Sequence, residues 1–253
     1  MKKNEWKAYN DLAWTELILC SPEDCVAETE LYFKAIIDHS KIELKKLLHL
    51  GCGAGMNDYT FKKHFKVTGV DISKGMLKVA KSLNPDVTYL HGDMRTIRIP
   101  ELYDAVVIPD SIGYMVTPED LRKTILTANN HLKQGGILLI VVHVREEFRE
   151  NNFVYTGSKD DINITVFENN HILDSTKEKY QAVLTYLIRR GGKLEIHNDC
   201  HIIGLFPLET WLNLLKDVGF EITRMKLNNL YDKFIMDGGE YSQTMFVCNK
   251  PLE

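Results

Sequence analysis

Between residues 47 and 142 the chain alternates short apolar runs with amphipathic ones. Leu47–Leu50, Lys66–Val70, Val87–Leu90, Ala105–Ile108 and Ile137–Val142 read as strands, and the last, apolar without a break, has the character of a strand buried on both faces. Asn57–Phe65, Lys74–Leu83 and Pro118–His131 read as helices between them, with Thr117 as the N-cap of the third. An earlier helix is predicted over 22–38, with Ser21 as its cap and Pro22 at its first position. Strand and helix in turn predict a doubly wound α/β sheet. After residue 150 the rhythm changes: TVFENN and YQAVLTYLIRR lead to Gly191-Gly192, and KLEIHNDCHIIGLF follows, a β-hairpin inside an antiparallel insertion. Pro207–Val218 returns to helix, and FEITRMKL and QTMFVCNK close the chain as two strands.

The punctuation of these elements carries the first chemistry. Gly51, Gly53 and Gly55 follow the first strand and open a helix, where a tight turn lets backbone amides approach a ligand. A plain strand-to-helix turn has the same glycines, and NAD sites use a similar triad. Asp71 closes the next strand and suits the two hydroxyls of a ribose; Asp93, in HGDM, closes the third and suits an adenine amino group. Each aspartate alone is more often a loop cap than a ligand. Three successive strand ends bearing such groups, on the edge where open α/β sheets bind ligands, make a nucleoside site the better reading.

LLHLGCGAG, GVDISKGMLKVAK, HGDMR and HLKQGGILLIVVH together resemble the class I S-adenosylmethionine-dependent methyltransferases, over nearly the whole chain. GDMRTIRIPELYDAVVIPDSIGYM and DCHIIGLFPLETWLNLLKDVGF are similar to the small-molecule N-methyltransferases that dimethylate amino sugars on nucleotide carriers. The resemblance implies an α/β, Rossmann-like fold: a seven-stranded, mostly parallel sheet whose last strand is antiparallel, with an antiparallel β insertion after strand five. It divides the chain into an N-terminal helical cap (1–40), a cofactor-binding core (41–145 and 207–253) and an insertion over the active site (146–206). S-adenosylmethionine would be the cofactor and S-adenosylhomocysteine the product. Gly51, Gly53 and Gly55 would flank its methionine and ribose, Asp71 hold the ribose, Ile72 pack on the adenine, and Asp93 and the Met94 amide read its edge.

His49 departs from the family, which has an acid there, near the methionine ammonium. A neutral imidazole accepts a hydrogen bond from an ammonium and a protonated one repels it, so cofactor affinity is expected to weaken as pH falls; a satisfied core histidine is the equal alternative. At the N-terminus Trp6, Tyr9 and Trp14 crowd a short stretch, and Tyr9 and Trp14 are the expected cover for the cofactor.

Candidates for catalysis follow strands four and five. Asp110 comes just after Ile108-Pro109 and reads equally as a turn cap; Tyr114 lies one turn on; His143 ends strand five, over the expected site. In the hairpin Glu195, His197, Asp199 and His201 share one face of a strand, which lines a pocket, faces solvent or, least favoured, binds a metal. His201 joins His143 and Asp110 as an expected catalytic residue, and no metal is assigned.

Composition prunes the partners. The 253 residues carry a net charge of −4 and are 44% hydrophobic, without the basic footprint of a nucleic-acid binder. No apolar run spans a membrane, the start lacks the apolar stretch of a signal peptide, and five cysteines without a CxxC pair read as reduced thiols of a cytoplasmic protein. The expected activity is methyl transfer to a small molecule, most favourably at an amine nitrogen, by in-line displacement. Its rivals are O- or carboxyl-methylation of a small molecule, methylation of RNA or protein, cofactor binding without catalysis, and an NAD dehydrogenase. The edges of the insertion could pair two copies into a homodimer.

Overall fold

A computed structural model describes residues 6–173, 178–236, 238 and 240–252. The first sheet has seven strands: β1 (Lys46–Leu50), β2 (Lys66–Asp71), β3 (Thr88–His91), β4 (Tyr103–Pro109), β5 (Leu132–Val142), β10 (Glu221–Asn228) and β11 (Ser242–Asn249), in the order β10-β11-β5-β4-β1-β2-β3. Strands β1 to β5 pair in parallel, and β11 runs antiparallel to both β5 and β10. This is the expected α/β class I arrangement. The second sheet is an antiparallel meander of β6 (Asn151–Lys159), β7 (Ile162–Ile172), β8 (Lys179–Arg190) and β9 (Lys193–Gly204). No helix of the described residues is long and apolar enough to cross a membrane.

The helices are α1 (Glu16–Leu19), α2 (Val26–His39), α3 (Asp58–Phe61), α4 (Lys74–Leu83), α5 (Pro118–His131) and α6 (Leu208–Asp217). Alternation along the central strands builds two cores. Leu48, Leu50, Val106, Ile108, Leu138 and Ile140 meet α5 and α6 through Leu121, Ile125, Trp211 and Leu215. Their neighbours Leu47, Ala105, Val107, Ile137, Leu139 and Val141 meet Tyr32 and Ile36 of α2 and Phe61 beside it.

Two helices differ from expectation. Residues 22–25 form a 3₁₀ turn before α2, because the Ser21 amide and hydroxyl both donate to Asp24 and tighten the entry. The helix predicted to run from Asn57 to Phe65 is one α-turn that tightens into 3₁₀-type turns, the Lys63 and His64 amides donating to the Thr60 and Phe61 carbonyls three residues back.

The N-terminal segment crosses the ends of both sheets. Ala8, Leu12 and Trp14 pack on Ile164, Val166, Tyr186 and Ile188 of the meander. The Ser73 hydroxyl at the start of α4 donates to the Tyr9 carbonyl. On β6, Gly157 lets α1 cross in direct contact, since a Cβ there would lie 2.0 Å from the Ile18 carbonyl oxygen.

Candidate active site

Strand order reverses between β1 and β4, and ligands of open α/β sheets bind at the carboxyl ends beside such a switch point. A cavity of about 620 Å³ opens there, covered by Trp6, Tyr9 and the inner ends of β6, β8 and β9.

Its first half is the glycine turn. Gly53 has φ +53°, and a Cβ on it would meet nothing within 4 Å, so the backbone faces open cavity. Gly51 and Gly55 pack instead on Ser111 and on Tyr89 with Asn84. Asp71 accepts from the Gly53 amide (2.8 Å) and the Ser73 amide (2.7 Å), which fixes its carboxylate at the turn. Burial, above all, raises Asp71 above the usual carboxylate range, against these amides. Ile72 is half exposed on the cavity wall, Met94 lines it too, and Asp93 binds the Arg95 guanidinium through both oxygens. Arg95 also reaches Asp120 at 3.0 Å, so its charge is neutralised twice.

His49 lines the same half. Its Nδ1 lies 2.7 Å from Asp58 Oδ1, both groups are buried, and the other Asp58 oxygen accepts from the Tyr89 hydroxyl at 2.9 Å. A carboxylate thus stands one layer behind the imidazole, on α3, and fixes its ring.

The second half gathers groups distant in sequence. Asp110 sits immediately beyond β4 with φ +54°, a conformation that costs a non-glycine residue about 1–3 kcal/mol and turns its side chain into the cavity. Gln243 of β11 donates to its Oδ1. Asp110 stays exposed to the cavity, and crowding by the protein around it, foremost, with the Glu28 carboxylate pushes it up to about 7, against that hydrogen bond. Glu28 accepts from Tyr231 (2.9 Å) and from Tyr32. Burial also pushes Glu16 up to about 7. None of these residues carries a sequence signal: Glu16 and Glu28 look like ordinary helical acids, and Gln243 stands near the start of β11, an interior strand of the sheet.

Three expected residues stand differently. Trp14 does not line the cavity; its ring lies under the Arg190 guanidinium (5.1 Å) on the meander, and Trp6 takes the place at the cavity, its ring tilted against Tyr114 with centroids 4.8 Å apart. His201 is buried behind Tyr114 rather than on the cavity wall. Tyr9 and Tyr114 share a hydrogen bond (2.5 Å), Tyr114 meets His201 Nδ1 (2.7 Å), and His201 Nε2 meets Asp199 (3.0 Å), which also accepts the Ala8 amide. Burial holds the phenol of Tyr114 well above its usual range, so that hydroxyl stays protonated at neutral pH. His143 does line the cavity, but burial lowers it to about 4; it bonds the Tyr241 hydroxyl at 2.5 Å and makes a poor proton acceptor. The acidic face of β9 splits, with Glu195 and His197 paired in solvent and Asp199 and His201 covered by the N-terminal segment.

Comparison with known proteins decides the chemistry. The family pattern described as a methyltransferase domain matches residues 47–136. YqeM of Bacillus subtilis (strain 168), described as a methyltransferase, is 30% identical over 199 residues, 75% of this chain and 78% of its own. The chain belongs to the methyltransferase family. Its methyl donor is S-adenosylmethionine, and the glycine turn with Asp71 lies where this fold binds ligands. The dTDP-3-amino-3,4,6-trideoxy-alpha-D-glucopyranose N,N-dimethyltransferase of Streptomyces venezuelae is 36% identical over 100 residues, 39% of this chain and 42% of that enzyme. Among solved structures, the sugar N-methyltransferase KedS8 from Streptoalloteichus sp ATCC 53650 superposes with a TM-score of 0.79 at 20% identity, covering 96% of this chain and 92% of that one. Streptomyces venezuelae DesVI gives 0.77 at 23%, covering 90% and 92%. The methyltransferase thus shares with both a fold that includes the insertion.

Proposed function

We propose that this methyltransferase transfers a methyl group to an amine nitrogen of a small molecule. The observation that carries the reading is Asp110, turned into the cavity beside the glycine turn with a proton affinity matched to neutral pH. The N,N-dimethylating relatives support the same chemistry.

The cofactor half fits S-adenosylmethionine on its own features: open space at Gly53, a carboxylate fixed by backbone amides, and a half-exposed apolar wall at Ile72. We assign Asp71 to the ribose hydroxyls, Ile72 to the adenine face, Asp93 and the Met94 amide to its edge, and His49, oriented by Asp58, to the methionine ammonium. Bound there, S-adenosylmethionine supplies an electrophilic methyl on a sulfonium. Asp110 takes the proton that the incoming ammonium must lose to expose its lone pair. Tyr9 and Tyr114, held through His201 and Asp199, fix the roof over the reacting groups and, with Trp6, exclude water. We infer that the N-terminal segment (1–40) and the insertion (146–206) form the acceptor side of a site whose cofactor side belongs to the core (41–145 and 207–253).

A screen of amines, hydroxyl compounds and carboxylates, read by release of S-adenosylhomocysteine, tests the reading. Turnover with amines is expected; turnover confined to hydroxyl or carboxylate compounds would overturn it.

A further inference from the structure

Two thiols meet at the joint between the N-terminal segment and the core. Cys20 is the C-cap of α1 and Cys25 the N-cap of α2, and the 3₁₀ turn of residues 22–25 brings their sulfurs to 3.6 Å. A disulfide holds its sulfurs ~2.05 Å apart, so an approach of about 1.5 Å, within reach of side-chain rotation, would join them. Both thiols are half-buried, whereas Cys52 and Cys248 are buried and Cys200 is exposed on β9. The hydrogen bond from Cys25 holds the Cys20 thiol below the usual thiol range, against burial, and a thiolate is the form that attacks a disulfide.

The joint carries the roof of the cavity. On one side, residues 6–19 bring Trp6 and Tyr9 over it. They are held by the Ala8 amide on Asp199, by the Ser73 hydroxyl on the Tyr9 carbonyl and by packing on the meander, contacts that open without breaking a covalent bond. On the other side α2 belongs to the core, with Tyr32 and Ile36 buried and Glu28 bonded to Tyr231. Cys25 itself lines the cavity, as do Glu16 of α1 and Glu28 of α2. A ligand leaving a roofed cavity must displace the roof, and that motion turns on the segment that ties roof to core. A covalent bond across the segment would restrict it.

We propose that Cys20 and Cys25 are a redox modification site: a low-molecular-weight disulfide converts them to a reversible disulfide that clamps the N-terminal segment and slows the exchange of ligands through the cavity. The Cys20 thiolate attacks one sulfur of the reagent, whose S–S bond breaks; one reagent thiolate leaves and a mixed disulfide stands on Cys20. Cys25 gives its proton to water and attacks the Cys20 sulfur, and the second reagent thiolate leaves as the Cys20–Cys25 bond forms. The protein is oxidised and the reagent is reduced to its thiols, so an added dithiol reverses the bond. The site acts on the cavity as a whole and does not depend on which atom of the acceptor is methylated.

Trypsin releases both cysteines in one peptide, residues 8–34, which holds no other cysteine. Treatment of the full chain with glutathione disulfide is expected to lower the mass of that peptide by about 2 Da, with no glutathione attached, and dithiothreitol to restore it. Release of radiolabelled S-adenosylhomocysteine into an excess of the unlabelled compound should slow about tenfold in the oxidised protein. Cys20→Ser, a change off the cavity wall, should release it at the rate of the reduced wild type with or without oxidant. A peptide that keeps its mass or carries only glutathione would overturn the proposal, and so would a Cys20–Cys25 bond that leaves the release rate unchanged. Equal slowing in oxidised Cys20→Ser would place the effect on another thiol and overturn it as well.

Discussion

The two halves of the cavity are built in opposite ways. The cofactor half comes from one stretch, residues 49 to 95, and its charged groups are already satisfied: Asp71 by two backbone amides, Asp93 by Arg95, Asp58 by His49 and Tyr89. The acceptor half draws on α1, α2, the end of β4 and β11, and it leaves Glu16 and the Gln243 oxygen without partners among the described residues. A site that binds the same cofactor throughout a family is best preorganised in full. A site whose ligand differs from one member to the next is better assembled from separate elements, each free to vary without disturbing the glycine turn.

The sharpest way to break this contrast is Asp110→Asn. It should lower kcat/KM for the acceptor about 10²–10⁴-fold while S-adenosylhomocysteine binding stays within about twofold. Because Asp110 accepts a proton only as a carboxylate, wild-type kcat/KM should rise with pH through about 7 and level off above it, and this limb should vanish in the variant. A variant that lost cofactor affinity to the same degree as turnover would join the two halves into one.

Asp71→Ala probes the other half. Removing a carboxylate that organises the turn should weaken S-adenosylhomocysteine by about 1.5–3 kcal/mol, roughly 10–150-fold by calorimetry. His49→Ala should cost less, about tenfold, because it breaks one hydrogen-bonded link and leaves Asp58 bonded to Tyr89. An unchanged Kd in His49→Ala would make the imidazole a core residue and nothing more.

The unequal legibility of the halves follows from their construction. Gly51, Gly53, Gly55, Asp71 and Asp93 sit at the ends of successive strands, so their spacing along the chain is their spacing in space. Asp110 and His143 could be placed at strand ends for the same reason. Their chemistry could not, because it depends on Gln243 and Tyr241, 133 and 98 residues away. Glu28 acquires its role from Tyr231 across 203 residues. Among the N-terminal aromatics, composition showed an aromatic cover but not which ring turns inward; the 3₁₀ turn at Ala13–Thr15 carries Trp14 onto the meander and leaves Trp6 at the cavity. On β9 the shared face of Asp199 and His201 was readable from alternation, whereas the interposed Tyr114 was not.

Smaller effects refine the contrast. Tyr114→Phe cuts the link from Tyr9 to His201 and should lower kcat several-fold without moving the pH limb assigned to Asp110. Glu16→Gln should be visible in stability. Burial raises Glu16 to about 7, so the folded chain holds that proton more tightly than the unfolded one. The corresponding stability is full at low pH and declines as pH rises through about 7, when the buried carboxylate ionises. The variant should therefore melt higher than the wild type at pH 8, by about 2–4 °C for roughly 1 kcal/mol, and gain less at pH 5, as scanning calorimetry at the two pH values would record.

The central claim, methyl transfer to an amine nitrogen, is tested most directly by following a ¹³C-labelled methyl group from S-adenosylmethionine into the acceptor by NMR. An N-methyl resonance should grow in step with S-adenosylhomocysteine in the wild type and be nearly abolished in Asp110→Asn. An O-methyl or methyl-ester resonance, or an N-methyl signal that Asp110→Asn leaves undiminished, would contradict it.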